Sequence, residues 1–299
     1  MRFKSNISTF LKNVLPFYPR IISKIYQLIA LIKILNTKPI VTKKESNILV
    51  SSITSHKDYV FLILSVKSFY LHSGIKFSLT IFDDGSLTKK DINTLKKHLI
   101  NCEVITKQKY VSKIEKKYGK SHIFYQKRNI PYVIKKIGPF LFSTQDKIIF
   151  LDSDVLFFKQ TKEIQDWING KYDAFYIQDH QDAYFLSQIE SKTIFNTKLL
   201  PKLNSGFLGI NRKDIKMDIF KKLLETYDTL SVYRPWQFQT FFALTLSSKR
   251  CLALPKSYLI SEVDDINPNT ICCHYVRTIR HKIYQDYHLV IKNLNSRID

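Results

Sequence analysis

One apolar run that contains two carboxylates constrains the fold of this chain more than any other feature. It covers residues 148–158 and is interrupted by Asp152-Ser153-Asp154. Its branched and aromatic residues predict a buried strand, and burying two unpaired carboxylates would be costly. We therefore expect Asp152 and Asp154 to meet water, a cation or hydrogen-bond donors where the strand ends. Two such oxygen ligands suit Mg²⁺ or Mn²⁺, and the alternative is a strand-end turn with both carboxylates in water.

Composition places the chain among globular proteins and argues against several classes of site. The 299 residues, 44% of them hydrophobic, allow one large α/β domain or two small ones. The 7 glycines form neither a Walker sequence nor Gly-x-Gly-x-x-Gly, which argues against P-loop and Rossmann nucleotide sites. The 4 cysteines lack disulfide or zinc-knuckle spacing, so we expect reduced thiols and a cytoplasmic protein.

The formal net charge of +22 favours polyanionic surroundings. Nucleic acid, anionic lipid headgroups and phosphorylated substrates would all complement this charge. No helix-turn-helix, zinc-finger or RNA-binding aromatic signature accompanies it, so we expect no nucleic-acid partner. A nucleic-acid binder is the alternative that a salt-dependent shift of DNA would favour.

Residues 1–46 form a basic segment rich in apolar residues. Its nine Lys and Arg residues stand against one acid, Glu45. The apolar stretch 21–35 is too short, and too interrupted by Lys24 and Lys33, for a transmembrane helix. No small-residue cleavage site of a secretory signal follows it. We expect this segment to lie against an anionic membrane surface, and the alternative is an ordinary helix packed on the domain.

The globular part begins near Asn47 and alternates strands with helices. The pattern predicts strands over residues 47–52, 77–82, 103–105, 148–158, 172–177 and 203–211, and helices over 60–70, 91–99, 131–142, 217–227 and 236–246. This alternation predicts an α/β fold with a mostly parallel, twisted sheet flanked by helices. Ligands bind beyond the carboxyl ends of such strands, where Ser51, Asp83 and Asp152 would meet.

Three later segments add polar residues to this pattern. Asn204-Ser205-Gly206 opens an apolar strand, Gln239 lies on a predicted helix, and His274 precedes Tyr275 near the end of the sequence. Together with Asp152-Ser153-Asp154, their order resembles that of GT-A glycosyltransferases, in particular glycosyltransferase family 8 and its bacterial relatives. The resemblance covers nearly all of the globular part and implies the GT-A nucleotide-diphospho-sugar transferase fold.

The resemblance implies that Asp152, Asp154 and His274 hold a divalent ion at the donor diphosphate. An imidazole among oxygen ligands favours Mn²⁺ over Mg²⁺. The donor would be a UDP-sugar or another nucleotide-sugar. The acceptor would be a cell-surface glycan or a lipid-linked precursor, reached at the inner face of the cell membrane. Family 8 enzymes transfer the sugar with retention, so we expect the same here.

The resemblance also implies donor-binding and catalytic positions. The donor-binding positions are Ser51, Ser52, His56, Asp83, Ser153, Asn204, Ser205 and Gly206. Arg128 and Arg280 are added as donor-binding candidates because their positive charge would stabilise the departing diphosphate. Gln239, near the anomeric carbon of the sugar, and Asp179 would act in catalysis. For Arg277, Arg280 and Lys282, which follow His274, the alternative is a solvated surface charge.

A catalytic domain over residues 47–290 is expected to follow the basic segment. Residues 47–158 would form its nucleotide and metal half. Residues 159–290 would form its donor-sugar and acceptor half.

One position departs from the family pattern and leaves alternatives open. The family commonly places an acid directly before the glutamine, where this chain has Phe238. Asp179 or Gln237 would then supply the polar contact, and a catalytically inactive carbohydrate-binding relative is one alternative. A haloacid-dehalogenase-type phosphohydrolase is another, because that class also places Asp-x-Asp after an apolar strand. There the motif stands on the first strand of the domain, whereas residues 47–147 precede it here.

Overall fold

The computed structural model describes residues 18–229, 237–261 and 266–297. The helices of this part of the chain are α1 (Tyr18–Leu35), α2 (Tyr59–Ser73), α3 (Lys89–His98), α4 (Lys107–Tyr118), α5 (Ile123–Gln126), α6 (Pro131–Phe142), α7 (Glu163–Ile168), α8 (Gln188–Phe195), α9 (Met217–Thr229), α10 (Gln237–Thr245) and α11 (Ile283–Arg297). The strands are β1 (Ile40–Val41), β2 (Ile48–Thr54), β3 (Ser78–Asp83), β4 (Leu99–Ile100), β5 (Glu103–Ile105), β6 (Lys147–Leu151), β7 (Val155–Phe157), β8 (Ala174–Gln178), β9 (Leu203–Asn211), β10 (Cys251–Ala253), β11 (Tyr258–Ile260) and β12 (Cys272–His274). Short 3₁₀ turns cover Arg212–Asp214 and Arg277–Lys282.

Seven of the described strands form one sheet in the order β10-β8-β9-β6-β2-β3-β5. Strand β9 is antiparallel to both of its neighbours, and the other pairs are parallel. Alternate residues of β6 reach two hydrophobic cores. Ile148 and Phe150 pack into the core that contains α6 and α10, and Ile149 and Leu151 into the core that contains α2. Helices therefore cover both faces of a mostly parallel sheet, which confirms the predicted fold class.

The apolar run over residues 148–158 is not one strand, as the sequence had predicted. Strand β6 ends at Leu151, the turn 152–154 follows, and β7 enters a separate three-stranded sheet ordered β11-β12-β7. The backbone of the turn is held on both sides, because the Asp152 N–H donates to the Gly206 carbonyl at 2.8 Å and the Asp154 carbonyl accepts the Tyr275 N–H at 2.8 Å. Burying two carboxylates inside the seven-stranded sheet would be costly, and the chain leaves this sheet at the turn where they occur.

Helix α3 begins at Lys89, two residues before the predicted start. Thr88 precedes it in an extended conformation and forms a capping box with Asp91. The Thr88 hydroxyl accepts the Asp91 N–H at 3.2 Å, and the Asp91 carboxylate accepts the Thr88 N–H at 2.8 Å. These bonds satisfy amide groups that a helix otherwise leaves unpaired at its start.

Helix α1 packs one side on the domain. Ala30 and Ile34 are fully buried and belong to the core shared with α2 and α11. In the part of the chain that the structure describes, no helix is both long and apolar enough to cross a membrane. The membrane contact expected for residues 1–46 stays a prediction, and residues 1–17 of that segment lie outside the described residues.

A fully buried lysine of α2 joins the segment after α1 to the end of α3. Lys67 of α2 donates to the Thr37 hydroxyl at 2.7 Å, to the Lys38 carbonyl at 2.7 Å and to the Thr37 carbonyl at 3.3 Å, and its Nζ lies 3.0 Å from His98 Nδ1. Burial lowers the pKa of Lys67 to about 8. We call these four residues the lysine cluster. The ammonium of Lys67 therefore finds its partners inside the cluster, as a buried cation requires.

Candidate active site

Asp152, Asp154 and His274 meet at the carboxyl end of β6, and we call them the carboxylate cluster. His274 Nε2 lies 3.4 Å from Asp154 Oδ1 and 4.0 Å from Asp152 Oδ2. One ligand atom from each residue lies within 4.8 Å of the other two. The turn after β6 supplies the carboxylates, and antiparallel pairing of β12 with β7 sets His274 opposite Val155. Two carboxylate oxygens and one imidazole nitrogen converging on one point fit a divalent ion.

Asn204 orients the imidazole of His274. The side-chain oxygen of Asn204 accepts the Gly206 N–H at 2.9 Å and lies 3.0 Å from His274 Nδ1. The Asn204 amide nitrogen donates to Asp179 Oδ2 at 3.1 Å. Because an amide oxygen only accepts, Nδ1 carries the proton in this pair. The other ring nitrogen, Nε2, therefore faces the two aspartates, as in metal-binding histidines held by an outer partner.

Gly206 gives His274 the space to reach the cluster. A Cβ atom at this position would lie 2.2 Å from His274 Cε1 and 2.5 Å from Nδ1, closer than any side chain tolerates. Strand β9 is irregular here, because its register against β8 shifts between Tyr176 and Ile177. Such an irregularity re-aims side chains next to a site. The predicted Asn-Ser-Gly corner is thus an irregular part of β9. Its residues orient His274 and leave space for the imidazole, but they are not members of the carboxylate cluster.

Lys135 of α6 forms an ion pair with Asp152. Its ammonium also donates to the Ser205 carbonyl at 3.3 Å, so it joins the two loops of the site. Sequence reasoning missed this residue. A signal existed, because Lys135 and Lys136 stand in the middle of an otherwise apolar helix whose buried side faces the sheet.

Lys136 is also buried beside the site. Its Nζ lies 3.9 Å from the centre of the Phe242 ring and 5.0 Å from that of Phe150, within cation–π range. Burial and the charge of Lys135 lower the pKa of Lys136, and the charge of Asp152 opposes them. The floor of the site therefore contains two lysines that the fold keeps out of water.

Arg280 closes the site from the C-terminal 3₁₀ turn. Its Nε lies 2.8 Å from Asp154 Oδ2, and its Nη2 lies 3.2 Å from Asp58 Oδ1 and 3.3 Å from Ser153 Oγ. Burial disfavours the charge of Arg280, but the charges of Asp154 and Asp58 outweigh it and raise its pKa. The guanidinium therefore links the carboxylate cluster to the loop between β2 and α2.

The pKa values of the cluster follow from these contacts. Burial raises the pKa of Asp154, but the hydrogen bond and charge of His274 and the charge of Arg280 outweigh burial and lower it overall. For His274, burial lowers the pKa, and the hydrogen bond and charge of Asp154 outweigh it and raise the pKa. These contacts therefore favour the ionised form of the Asp154 carboxylate, which is the form that binds a cation.

His56 lies in the loop that follows β2, and Asp83 is the last residue of β3. His56 Nδ1 is 2.7 Å from Asp91 Oδ2, and the exposed imidazole ring stacks on the ring of Tyr59. The Asp83 carboxylate accepts the N–H groups of Gly85 at 2.7 Å and Leu87 at 3.1 Å. Asp83 therefore shapes the loop after β3, and the exposed imidazole of His56 is the group that a ligand can reach.

Ser51 and Ser52 do not stand at the end of the first strand, where the sequence analysis had placed them. They lie inside β2, which runs on to Thr54, and both are fully buried. Ser52 donates to the Leu151 carbonyl at 2.7 Å and so joins β2 to the end of β6. Because their hydroxyls sit within the sheet, this placement does not support direct contact with a donor.

The remaining predicted residues lie on three separate elements. Asp179, after β8, contacts Asn204 and thereby reaches the carboxylate cluster. Gln239 of α10 donates to the Ala183 carbonyl at 3.0 Å. Arg128 donates to the Tyr125 carbonyl at 2.9 Å and stacks on the Tyr125 ring. The side chains of Gln237, Phe238 and Arg277 lie outside the described part.

A cavity of about 430 Å³ opens beside Asp179. Its lining includes His180, Lys202, Lys256 and Tyr258. Lys202 has a positive φ of 52°, a conformation that non-glycine residues rarely adopt. Its N–H donates to Asp182 Oδ1 at 2.7 Å and its carbonyl accepts the Asp179 N–H at 2.7 Å, so the strained turn is held on both sides. The cavity is connected to the carboxylate cluster through Asp179 and Asn204.

Known proteins share this fold. A protein-family model described as "Glycosyl transferase family 8" matches residues 50–276. Among solved structures, the galactosyltransferase LgtC in complex with donor and acceptor sugar analogs has a TM-score of 0.52 at 12% identity, covering 82% of this chain and 95% of that chain.

The bifunctional glycosyltransferase WbbM in its apo form has a TM-score of 0.52 at 14% identity. The match covers 88% of this chain and 52% of that chain, so the chain spans about half the length of WbbM. No curated protein sequence matches the chain.

The structural likeness at these identities shows the fold alone. The family model, in contrast, covers most of the sequence and includes all three residues of the carboxylate cluster. The chain therefore belongs to glycosyltransferase family 8, and it is a glycosyltransferase with the GT-A fold.

Proposed function

We propose that this chain transfers a sugar from a nucleotide-diphosphate donor in a reaction that depends on a divalent ion, Mn²⁺ in preference to Mg²⁺. The observation that carries the proposal is the convergence of Asp152, Asp154 and His274, with Asn204 holding Nε2 of the imidazole toward the carboxylates. When bound there, the ion would supply a Lewis acid for the donor diphosphate. A UDP-sugar or another nucleotide-sugar has the chemistry that this site fits.

Two cations of the chain would stabilise the departing diphosphate. Arg280 stands beside Asp154 and Ser153, at the side of the cluster that faces the loop after β2. Lys135 stands on the opposite element, beside Asp152 and the carbonyl of Ser205. Negative charge grows on the diphosphate as the bond to the anomeric carbon breaks, so fixed positive charges on both sides lower the barrier.

The sugar would lie between the distorted part of β9 and α10. Asn204, Ser205 and Gly206 would form one wall, and Asp179, which contacts Asn204, would extend it toward the cavity. Gln239 is proposed near the anomeric carbon on the family resemblance. The acceptor would enter through that cavity. Its oxygen forms the new bond to the anomeric carbon, and its proton passes to the departing diphosphate, which is consistent with retention without a dedicated enzymic base.

The nucleoside would lie over the loops after β2 and β3. His56 offers an exposed ring there, and Asp83 sets the loop that follows β3. We include Arg128 as a donor contact because its charge would suit the diphosphate, while its described contacts are local. We further propose a cytoplasmic protein at the inner face of the cell membrane, with a glycan or lipid-linked acceptor, because residues 1–46 are strongly basic.

The test is a screen of sugar nucleotides, with Mn²⁺, with Mg²⁺ and with a chelator. Thermal shift identifies the donor, and release of the nucleoside diphosphate measures turnover. We expect turnover with one donor class that the chelator abolishes, and product of retained anomeric configuration by NMR. Release of phosphate from phosphomonoesters without donor turnover would instead indicate a phosphohydrolase. Donor binding without any turnover would indicate an inactive relative, consistent with Phe238.

A further inference from the structure

Helix α1 carries an apolar stripe that faces solvent. Ile25, Leu28, Ile29 and Ile32 are each between 40% and 58% exposed. Their spacing of three, four and seven residues places them on one side of the helix. We call them the outer stripe. Ala30 and Ile34, on the other side, are buried in the domain. The exposed apolar side is therefore not needed for packing on the domain.

Basic residues border the outer stripe on both edges. At 3.6 residues per turn, Lys24 and Lys33 lie roughly 100° and roughly 80° to either side of Ile25. Both lysines are exposed, as is the ring of Tyr26. The sequence of α1 contains no acid. An apolar stripe with lysines at both borders and an aromatic residue beside it has the composition of helices that lie in a membrane interface.

We propose that α1 docks the enzyme on an anionic lipid surface through the outer stripe. Apolar side chains would enter the boundary between headgroups and acyl chains, while Lys24 and Lys33 reach the lipid phosphates. Charge complementarity selects this occupant over a second copy of the chain. Two copies joined through α1 would bring together two segments with nine bases and one acid each, and juxtaposed like charges disfavour such an interface.

The proposal deepens the membrane part of the proposed function, and it identifies the residues that make the contact. Docking through α1 does not require the site to be a transferase site. The experiment therefore measures lipid binding and donor turnover separately, so that one can fail without the other.

The test uses the full chain and sedimentation with lipid vesicles. The vesicles contain about 30% phosphatidylglycerol in phosphatidylcholine, or phosphatidylcholine alone. We expect wild-type protein to bind the anionic vesicles more tightly, and Leu28→Glu or Ile32→Glu to lower its partition coefficient by about tenfold or more. Ile189→Glu is the matched control, because Ile189 is 79% exposed on α8. It should bind like wild type, and all variants should keep wild-type donor turnover without vesicles.

Several outcomes would overturn the proposal. Unchanged vesicle binding by both stripe variants is one, and an equal loss with Ile189→Glu is another. Equal binding of wild type to neutral and anionic vesicles would refute the role of the lysines. A wild-type dimer that Ile32→Glu converts to a monomer, measured by light scattering, would assign the stripe to a second copy. If Leu28→Glu lowers the melting temperature but leaves vesicle binding unchanged, the outer stripe would instead contact residues 1–17 of the same chain.

Discussion

Two polar clusters of this protein differ in how their charges are balanced. In the lysine cluster, the cation of Lys67 is surrounded by two carbonyls, a hydroxyl and His98, all on its own domain. In the carboxylate cluster, Asp152 and Asp154 point at the same imidazole nitrogen, and Lys135 and Arg280 balance them from outside.

The difference teaches how to distinguish a structural cluster from a ligand site. A buried charge with matched partners stabilises one arrangement of the chain. Carboxylates brought together at a strand end, opposite one imidazole nitrogen, can bind a cation in addition to the partners they already have. We therefore expect changes in the first cluster to affect stability and changes in the second to affect metal binding and turnover.

The largest expected effect is that of Asp154→Ala. It removes a carboxylate from the proposed ion site and leaves Arg280 without its close partner, so donor turnover with Mn²⁺ should fall by about 1000-fold or more. Release of nucleoside diphosphate measures the loss. Asp166→Asn, which changes an exposed aspartate paired with Lys171, is the control and should turn over like wild type. Undiminished turnover in Asp154→Ala would remove the carboxylate cluster from the mechanism.

Lys67→Met should act on stability and leave the site intact. The substitution keeps the volume of the side chain but leaves the carbonyls of Thr37 and Lys38 buried without their donor. We expect the free energy of unfolding to fall by about 3 kcal/mol, measured by urea denaturation. Lys90→Met, at an exposed position of α3, should change it little. If Lys67→Met lost donor turnover while its free energy of unfolding stayed that of wild type, the lysine cluster would not be purely structural.

His98 predicts a pH dependence of stability. Burial, followed by the charges of Lys67 and Lys97, lowers the pKa of His98 to about 4 from 6.5. The unfolded chain therefore binds a proton more readily than the folded one, and stability is lost as the pH falls from 6.5 to about 4. The expected contribution is about 2–3 kcal/mol. His98→Gln keeps an amide oxygen that accepts from Lys67. This variant should reduce the difference between the free energies of unfolding measured at neutral and at acidic pH. If His98→Gln leaves the pH dependence of the free energy of unfolding unchanged, His98 is not the group responsible for that dependence.

Asn204→Ala should weaken metal binding without unfolding the protein. It removes the acceptor that orients His274, and loss of an outer partner of this kind typically lowers metal affinity by about tenfold to 100-fold. Electron paramagnetic resonance of free Mn²⁺ measures the affinity directly. Asn211→Ala, in the same strand and away from the cluster, is the matched control. Equal affinity in both variants would leave Asn204 with a role toward the sugar alone.

The sequence predicted the elements whose pattern is local. Apolar periodicity located β3, α6 and β9, and the resemblance assigned Asp152, Asp154 and His274 to one site, where the structure places them together. Boundaries were less accurate. The run over residues 148–158 was read as one strand because periodicity does not report that a chain changes sheets within a turn.

The roles of Ser51, Lys135 and Asn204 required the tertiary structure. Ser51 was expected near the exposed end of its strand, although β2 continues past it and buries it. Lys135 lies in an otherwise apolar helix, and its pairing with Asp152 depends on how that helix packs on the end of β6. For Asn204, the contact with His274 depends on a distortion of β9 that no local pattern encodes.

The sequence alone determined the fold class, the family and the residue types that can hold a divalent ion. Strand and helix periods are properties of neighbouring residues, and the order of the motifs can be read along the chain. The tertiary structure decided which nitrogen of His274 faces the carboxylates, which cations balance them and which side of α1 stays exposed. These depend on distances between elements remote in the chain. Packing brings Gly206 under the imidazole and Ala30 against the core, and only packing sets such distances.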